Sequence, residues 1–165
     1  MKSASLFRHL ILATATMVFA AVLGAAENPR SGETLTAALN DARALTANRA
    51  DFKVVRVEGN SMLPFFGNGS VLVVKKMASE TLRAGMVVVY TNRFNETVAH
   101  RLVAVGAAGW EVKGYNNTTA DSTPVNDANL IGVVYVTFHS NDRMDASMVA
   151  AVTAGTTVAY AAPAR

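Results

Sequence analysis

Short runs of β-branched and aromatic residues, separated mostly by clusters of Gly, Asn, Asp or Pro, fill the middle of the chain. Such a pattern is typical of β-strands joined by turns. Helical segments between the runs, which parallel strands would need as crossovers, are absent, so we expect a predominantly antiparallel sheet or small barrel of about six strands. The predicted strands cover residues 53–57, 71–75, 87–91, 98–105, 110–113 and 131–138.

A helical period precedes these strands. Between residues 33 and 50, apolar side chains recur at spacings of three and four residues, which predicts a short amphipathic helix. Residues 28–32 contain a Pro and a Gly and are interpreted as a linker. We therefore expect a linker and amphipathic helix at residues 27–51, followed by a mainly β domain at residues 52–138. The apolar positions of the helix are Leu35, Ala38, Leu39, Ala42 and Leu45.

The first 26 residues have the pattern of an export signal. Lys2 and Arg8 precede residues 10–26, which carry no charge and end in small residues, Gly24 and Ala26 among them. A hydrophobic helix over this stretch spans about 25 Å, somewhat less than a hydrocarbon core of roughly 30 Å. Cleavage after Ala26 and retention as a membrane anchor therefore both remain open. Either way, the rest of the chain is expected on the extracytoplasmic, periplasmic side of the membrane.

The C-terminal residues 139–165 form an Ala-rich tail whose structure the sequence leaves open. Residues 146–164 carry no charge and are rich in Ala, Val and Thr. A packed terminal helix, a weak second membrane segment and a poorly ordered tail all agree with this composition.

Composition and charge exclude several classes of function. With 51% hydrophobic and 16% charged residues in 165, the chain is expected to fold as one domain. Two of its 15 Lys and Arg lie in the leader, which leaves the remainder almost balanced against 12 acidic residues. Nucleic acid is therefore not an expected partner. The absence of Cys and the scatter of three His predict no metal site and no cofactor.

Candidate chemistry begins with Ser61, in the segment Gly-Asn-Ser-Met-Leu-Pro that follows the first predicted strand. A serine between a Gly and a Pro on a tight turn can project its hydroxyl, and its backbone N–H can face an oxyanion. The same residue types are common in ordinary loops. The turn by itself therefore leaves a structural and a catalytic interpretation open.

His100 and Asp121 follow Ser61 in an order that suits a nucleophile, a base and an orienting acid. A serine hydroxyl is almost inert near neutral pH and needs a base within hydrogen-bond reach, and a carboxylate can hold the tautomer of an imidazole. A histidine that merely packs in the sheet is the alternative for His100. Asp127 is a second candidate acid. The alternative bases are Lys75, Lys76 and Lys113, for which a solvated surface position is favoured.

Three segments in this order resemble the type I signal peptidase family. They are Gly-Asn-Ser-Met-Leu-Pro, His-Arg-Leu-Val, and Lys-Gly-x-Asn-Asn with a following Asp, within residues 54–136. The self-cleaving repressors of the bacterial SOS response share the Gly-x-Ser-Met-x-Pro turn, but they carry a DNA-binding domain where this chain has its leader. The context of His100 resembles the Ser/His type of archaea and the endoplasmic reticulum rather than the Ser/Lys type of most bacteria.

The resemblance implies a serine endopeptidase that cleaves exported or membrane-bound polypeptides after small residues through an acyl-enzyme. Ser61 would be the nucleophile and its backbone N–H part of the oxyanion hole, His100 the base, and Asp121 the orienting acid. Met62 and Pro64, beside the nucleophile, would contact the substrate. The partners would be signal-peptide-like segments of other chains, together with the membrane if the leader is retained.

Three positions depart from the family. Ser70 and Tyr115 stand where the family usually has Asp, and Gly59 stands where some bacterial members have a hydroxyl that serves the oxyanion hole. The replacements at Ser70 and Tyr115 favour an alternative, a catalytically degenerate exported β domain that binds peptides or a partner protein. An unrelated secreted domain would require that three motifs match by coincidence.

Overall fold

A computed structural model describes residues 27–143 and the backbone of residues 157–161. In this part of the chain, the regular structure consists of one α-helix, one short 3-10 turn (Ser79–Thr81) and seven β-strands. The predicted leader at residues 1–26 and most of the C-terminal tail lie outside these residues. No helix of the described part is long and apolar enough to cross a membrane.

The predicted helix and all six predicted strands are present, with ends that shift by up to four residues. The helix α1 covers Leu35–Thr46. The strands are β1 (Phe52–Gly59), β2 (Val71–Lys75), β3 (Val87–Thr91), β4 (Thr97–Gly106), β5 (Gly109–Lys113), β6 (Leu130–Phe138) and β7 (Thr157–Ala161).

Antiparallel pairing joins the first six strands in the order β1-β2-β6-β3-β4-β5. This confirms the predicted mainly β, antiparallel architecture. These six strands alone do not close into a barrel, since β1 and β5 remain at the two ends of the order. The strand β7 was not predicted, and it pairs in parallel with β1 and meets β4 at one residue pair, Val98 with Tyr160.

Alternation along β2 explains how helix and sheet share a core. Successive side chains of a strand point to opposite faces. Val71 and Val73 pack against α1, whereas Leu72 and Val74 face the opposite side and join a second cluster with Val89. The helix contributes four of its five predicted apolar positions, namely Leu35, Ala38, Leu39 and Ala42. The fifth, Leu45, is exposed near the end of the helix, so that part of the prediction is wrong.

A third cluster lies between β3, β4 and β5, and it is the one that positions the candidate site. Val98 and Leu102 of β4 belong to it, while Ala99 between them belongs to the cluster on the other face. By the same alternation, His100 lies on the face of Val98 and Leu102. The other buried members are Leu82, Val88, Tyr90, Val112 and Val125.

Candidate active site

Ser61 lies in a tight turn directly after β1. The strand ends at Gly59, whose φ of 94° is in the left-handed region that glycine adopts without steric cost. The Leu63 N–H donates to the Asn60 carbonyl over 3.3 Å, which closes the turn around Ser61. The Ser61 side chain is turned inwards, and the residue is only 3% exposed.

Folding brings the Ser61 hydroxyl against the His100 ring. The distance from Ser61 Oγ to His100 Nε2 is 2.8 Å, and His100 is 2% exposed. This is ordinary hydrogen-bond length and within the reach that a general base needs. His100 therefore does more than pack in the sheet, since one ring nitrogen faces the candidate nucleophile.

The second ring nitrogen of His100 faces Asp121. Asp121 follows β5, and its backbone N–H donates to the Val112 carbonyl over 2.9 Å, which ties the loop to that strand. Its Oδ2 lies 2.5 Å from His100 Nδ1. When Nδ1–H donates to the carboxylate, Nε2 is left as the acceptor for the Ser61 hydroxyl. Asp127 is exposed and makes no described contact with His100.

Tyr90 belongs to the same network and was missed by the sequence analysis. It is fully buried in β3, and its hydroxyl donates a hydrogen bond to the same Oδ2 of Asp121. In the register of β3 with β4, Tyr90 lies opposite Val98 and Val88 lies opposite His100. Tyr90 and His100 are thus diagonal neighbours on one face, a spacing that an aromatic side chain can bridge. The proximity of Tyr90 to His100 follows from the register of the two strands and not from any motif in the sequence.

Burial and the neighbouring carboxylate keep the Tyr90 phenol protonated. Burial is the main cause of its raised pKa, and the hydrogen bond to Asp121 and the negative charge of that residue raise it further. The hydroxyl therefore stays a donor throughout the physiological pH range.

The two backbone polar groups of Ser61 differ in their hydrogen bonding. The carbonyl accepts a hydrogen bond from the Asn116 N–H over 2.7 Å, and the Asn116 side chain donates to the Asn60 carbonyl over 3.2 Å. Among the described residues, none accepts a hydrogen bond from the Ser61 N–H. That donor is therefore available to the oxygen of an incoming carbonyl group.

The two residues predicted to contact substrate have different positions. Pro64 is exposed and follows a cis peptide bond with Leu63. Met62 is fully buried and packs in the cluster that contains Val57 and Leu72. The expectation for the Met62 side chain is therefore corrected. It supports the Ser61 turn from inside the core and presents no surface to a peptide.

Comparison with known proteins assigns the chain to a family. The family model described as peptidase S24-like matches residues 20–135, a range that includes Ser61, Tyr90, His100 and Asp121. The chain belongs to the peptidase S24-like family. This confirms the relationship expected from the three sequence motifs, and it supports a peptidase function in general.

A bacterial relative gives a second comparison. Over 79 residues, this peptidase S24-like chain is 37% identical to Signal peptidase I W of Bacillus subtilis (strain 168). The alignment covers 45% of this chain and 42% of that relative. The chain thus spans less than half the length of the relative that it matches.

The lysines considered as alternative bases lie elsewhere in this S24-like fold. Lys113 ends β5, and its Nζ donates to the Thr118 carbonyl over 2.9 Å. Lys75 ends β2, where its Nζ is 5.9 Å from the centroid of the Phe52 ring. Lys76 is exposed. None of the described contacts of these lysines reaches Ser61, and His100 occupies the place beside the hydroxyl.

Tyr115, one of the departures from the family pattern, forms part of an aromatic surface near the Ser61 turn. Its ring centroid is 4.3 Å from that of Phe65, and the Arg101 guanidinium carbon lies 4.7 Å from the Tyr115 ring. Phe65 is 53% exposed and Tyr115 38% exposed. We call these three residues the aromatic border of the site. A cation–π contact thus holds the arginine here.

Ser70, the other residue that stands where the family usually has Asp, is buried and makes its described side-chain contacts away from Ser61, His100 and Asp121. Its hydroxyl accepts a hydrogen bond from the Gly67 N–H over 3.3 Å and lies 3.4 Å from Nδ1 of His139. Burial lowers the pKa of His139. These contacts brace the end of the loop between β1 and β2. Within residues 27–143, no cluster of three or more His, Asp or Glu side chains is placed to hold a metal ion.

Proposed function

We propose that the protein is a serine endopeptidase of the signal-peptidase type, with Ser61 as nucleophile and His100 as general base. The observation that carries the proposal is the continuous series Ser61 Oγ, His100 Nε2, His100 Nδ1 and Asp121 Oδ2, with separations of 2.8 Å and 2.5 Å at its two hydrogen bonds. Membership of a peptidase family supports a peptidase function in general.

The first step forms an acyl-enzyme. His100 Nε2 accepts the hydroxyl proton as Ser61 Oγ attacks the scissile carbonyl carbon, and the negative charge moves to the carbonyl oxygen. The Ser61 N–H, which has no acceptor among the described residues, is available to stabilise that oxyanion. The imidazolium then gives its proton to the leaving amine as the C–N bond breaks.

The second step releases the acyl group. His100 Nε2 takes a proton from a water molecule, whose oxygen attacks the ester carbonyl, and the proton returns to Ser61 Oγ as the C–O bond breaks. Asp121 receives no proton in either step. It keeps the Nδ1–H tautomer in place and stabilises the imidazolium that forms twice in each cycle.

The proposed substrate is an extended polypeptide of exported or membrane-bound proteins, cut after a small residue. Such a peptide can bind as an added β-strand, with shallow pockets for alternate side chains. Pro64 is exposed in the Ser61 turn and is retained as a candidate contact. An extracytoplasmic location, with residues 10–26 as signal peptide or anchor, belongs to this proposal because such substrates emerge on that side of the membrane.

A serine-reactive acylating probe tests the proposal directly. We expect one labelled residue in the wild type, no labelling in Ser61→Ala, and labelling slowed by about a thousandfold in His100→Ala. Ser79→Ala, which changes a serine in a surface turn after β2, serves as the matched control and should label normally. Labelling that persists in Ser61→Ala, or that is absent from the folded wild type, would contradict the proposal.

The alternative function is a degenerate domain that binds peptides without cutting them. It was favoured by Ser70 and Tyr115, which replace family acids. Both side chains make their described contacts outside the series of Ser61, His100 and Asp121, so their replacement leaves that series in place. The binding alternative predicts no probe labelling at any pH while peptide affinity is retained.

A further inference from the structure

One carboxylate oxygen in the site serves two donors. Oδ2 of Asp121 lies 2.5 Å from His100 Nδ1 and also accepts the hydrogen bond of the Tyr90 hydroxyl. The other oxygen, Oδ1, accepts no hydrogen bond from the described residues. The orientation of the carboxylate therefore depends on the two groups that meet at Oδ2.

The surroundings of Tyr90 show that its hydroxyl is placed for this contact. The ring lies in an apolar cluster with Val88, Leu102 and Val112, and the residue is fully buried. A hydroxyl in such surroundings is costly unless it has a hydrogen-bond partner. Phenylalanine would fill the same volume without that cost. The described partner of the hydroxyl is Asp121, so the hydrogen bond to its carboxylate accounts for a tyrosine at this position.

The backbones of Tyr90 and Asp121 differ in how firmly they are held. Tyr90 sits in β3, which is paired on both sides, opposite Val98 of β4 and Leu130 of β6. Asp121 sits in the loop after β5, and its side chain is 16% exposed. A carboxylate on a loop can rotate unless a second contact restrains it. The rigid strand supplies that contact through the phenol.

We propose that Tyr90 is a positioning residue of the candidate site. Its hydroxyl fixes the Asp121 carboxylate so that Oδ2 stays on His100 Nδ1 and Nε2 points at the Ser61 hydroxyl. This inference rests on the proposed peptidase function. The described hydrogen bond of the Tyr90 hydroxyl goes to Asp121 and not to Ser61, so Tyr90 acts through Asp121.

The first test is kinetic. Tyr90→Phe should lower kcat for peptide cleavage by about tenfold and leave KM unchanged, because substrate contacts are not altered. Tyr135→Phe is the matched control, since Tyr135 is 57% exposed on β6, and it should leave both constants unchanged. A rise in KM with constant kcat, or no change in either constant, would overturn the inference.

A double-mutant cycle separates positioning from general structural damage. In an Asp121→Ala background, Tyr90→Phe should cost about twofold or less in kcat, because the carboxylate through which it acts is gone. If Tyr90→Phe costs the same factor in both backgrounds, its effect does not pass through Asp121 and the inference fails.

A spectroscopic test does not depend on activity. The Nδ1 proton of His100 should give a strongly downfield NMR resonance that moves when 3-fluorotyrosine, a residue of nearly the same volume with a stronger donor hydroxyl, replaces Tyr90. This substitution also serves if Tyr90→Phe fails to fold. An unmoved resonance refutes the positioning role. If the resonance moves in the fluorotyrosine protein but the wild type shows no Ser61-dependent acylation, the proposed function is refuted instead.

Discussion

The carbonyl oxygen of Ser61 lies so close to Gly114 that a β-carbon added there would come within 2.7 Å of it. The same β-carbon would lie 2.9 Å from Nδ2 of Asn117. The backbone after β5 thus approaches the Ser61 turn more closely than a side chain permits, and this approach accompanies the Asn116 hydrogen bond to the Ser61 carbonyl.

Gly114→Ala should therefore displace the Ser61 turn. We expect a loss of about 1–3 kcal/mol in the free energy of unfolding, as for other overpacked sites, and slower labelling of Ser61 by the acylating probe. Chemical denaturation and probe kinetics measure the two effects. Gly32→Ala is the control, because a β-carbon there has no atom within 4 Å, and it should change neither quantity. Equal behaviour of the two variants would show that the contact is not tight.

The choice of base can be tested by replacing His100 and, for comparison, Lys113. His100→Ala should lower kcat/KM by about a thousandfold or more, because the hydroxyl loses its proton acceptor. Lys113→Ala should lower it by less than about twofold, since the lysine donates to the Thr118 carbonyl. Steady-state cleavage of a peptide measures both. A loss below about tenfold in His100→Ala would reassign the base.

The aromatic border should affect substrate binding rather than chemistry. Phe65 follows Ser61 in the same loop, and its ring is half exposed against Tyr115. Phe65→Ala should raise KM for peptide substrates several-fold, by about the free energy of the lost apolar contact, and leave kcat unchanged.

Phe94→Ala is the control for that experiment. Phe94 is 62% exposed in the hairpin between β3 and β4, where its ring contacts Arg93. The variant removes a similar exposed ring and should leave KM unchanged. If Phe94→Ala and Phe65→Ala behave alike, the effect reflects general surface hydrophobicity instead of a contact beside the nucleophile.

Tyr90 also predicts a pH dependence of stability. Its pKa in the folded protein is raised above the ordinary tyrosine value of about 10, so above that pH the unfolded chain loses a proton that the folded chain keeps. The stability linked to Tyr90 is full below about pH 10 and falls as the pH rises further. Denaturant unfolding of Tyr90→Phe at alkaline pH should show a shallower fall, by about 1 kcal/mol per pH unit. Identical slopes would contradict the burial of the phenol.

The sequence predicted those parts of the fold that rest on local pattern. Residues 71–75 and 87–91 were predicted with the bounds that β2 and β3 have, because β-branched runs between turn residues leave little choice. The strand β7 was not predicted, since the composition of residues 146–164, rich in Ala, Val and Thr, agrees equally with a helix, a membrane segment or a tail. Its parallel pairing with β1 depends on a distant partner that periodicity does not reveal.

The candidate site was predictable only in part. Ser61, His100 and Asp121 were found from motif order and residue chemistry, and the structure brings all three together. Tyr90 could not be found in this way, because its role depends on the register between β3 and β4. Met62 was expected to contact the substrate because it adjoins Ser61, but neighbouring residues in a turn can point in opposite directions, and Met62 is buried in the core.

The hydrogen-bonded series draws on residues that are far apart along the polypeptide. Ser61 follows β1, Tyr90 and His100 lie in β3 and β4, and Asp121 follows β5. A nascent chain that has been synthesised only as far as His100 therefore has a serine without its full set of partners. Under the proposed chemistry, the growing polypeptide has no complete catalytic series until Asp121 has been synthesised and its loop has packed beside β4.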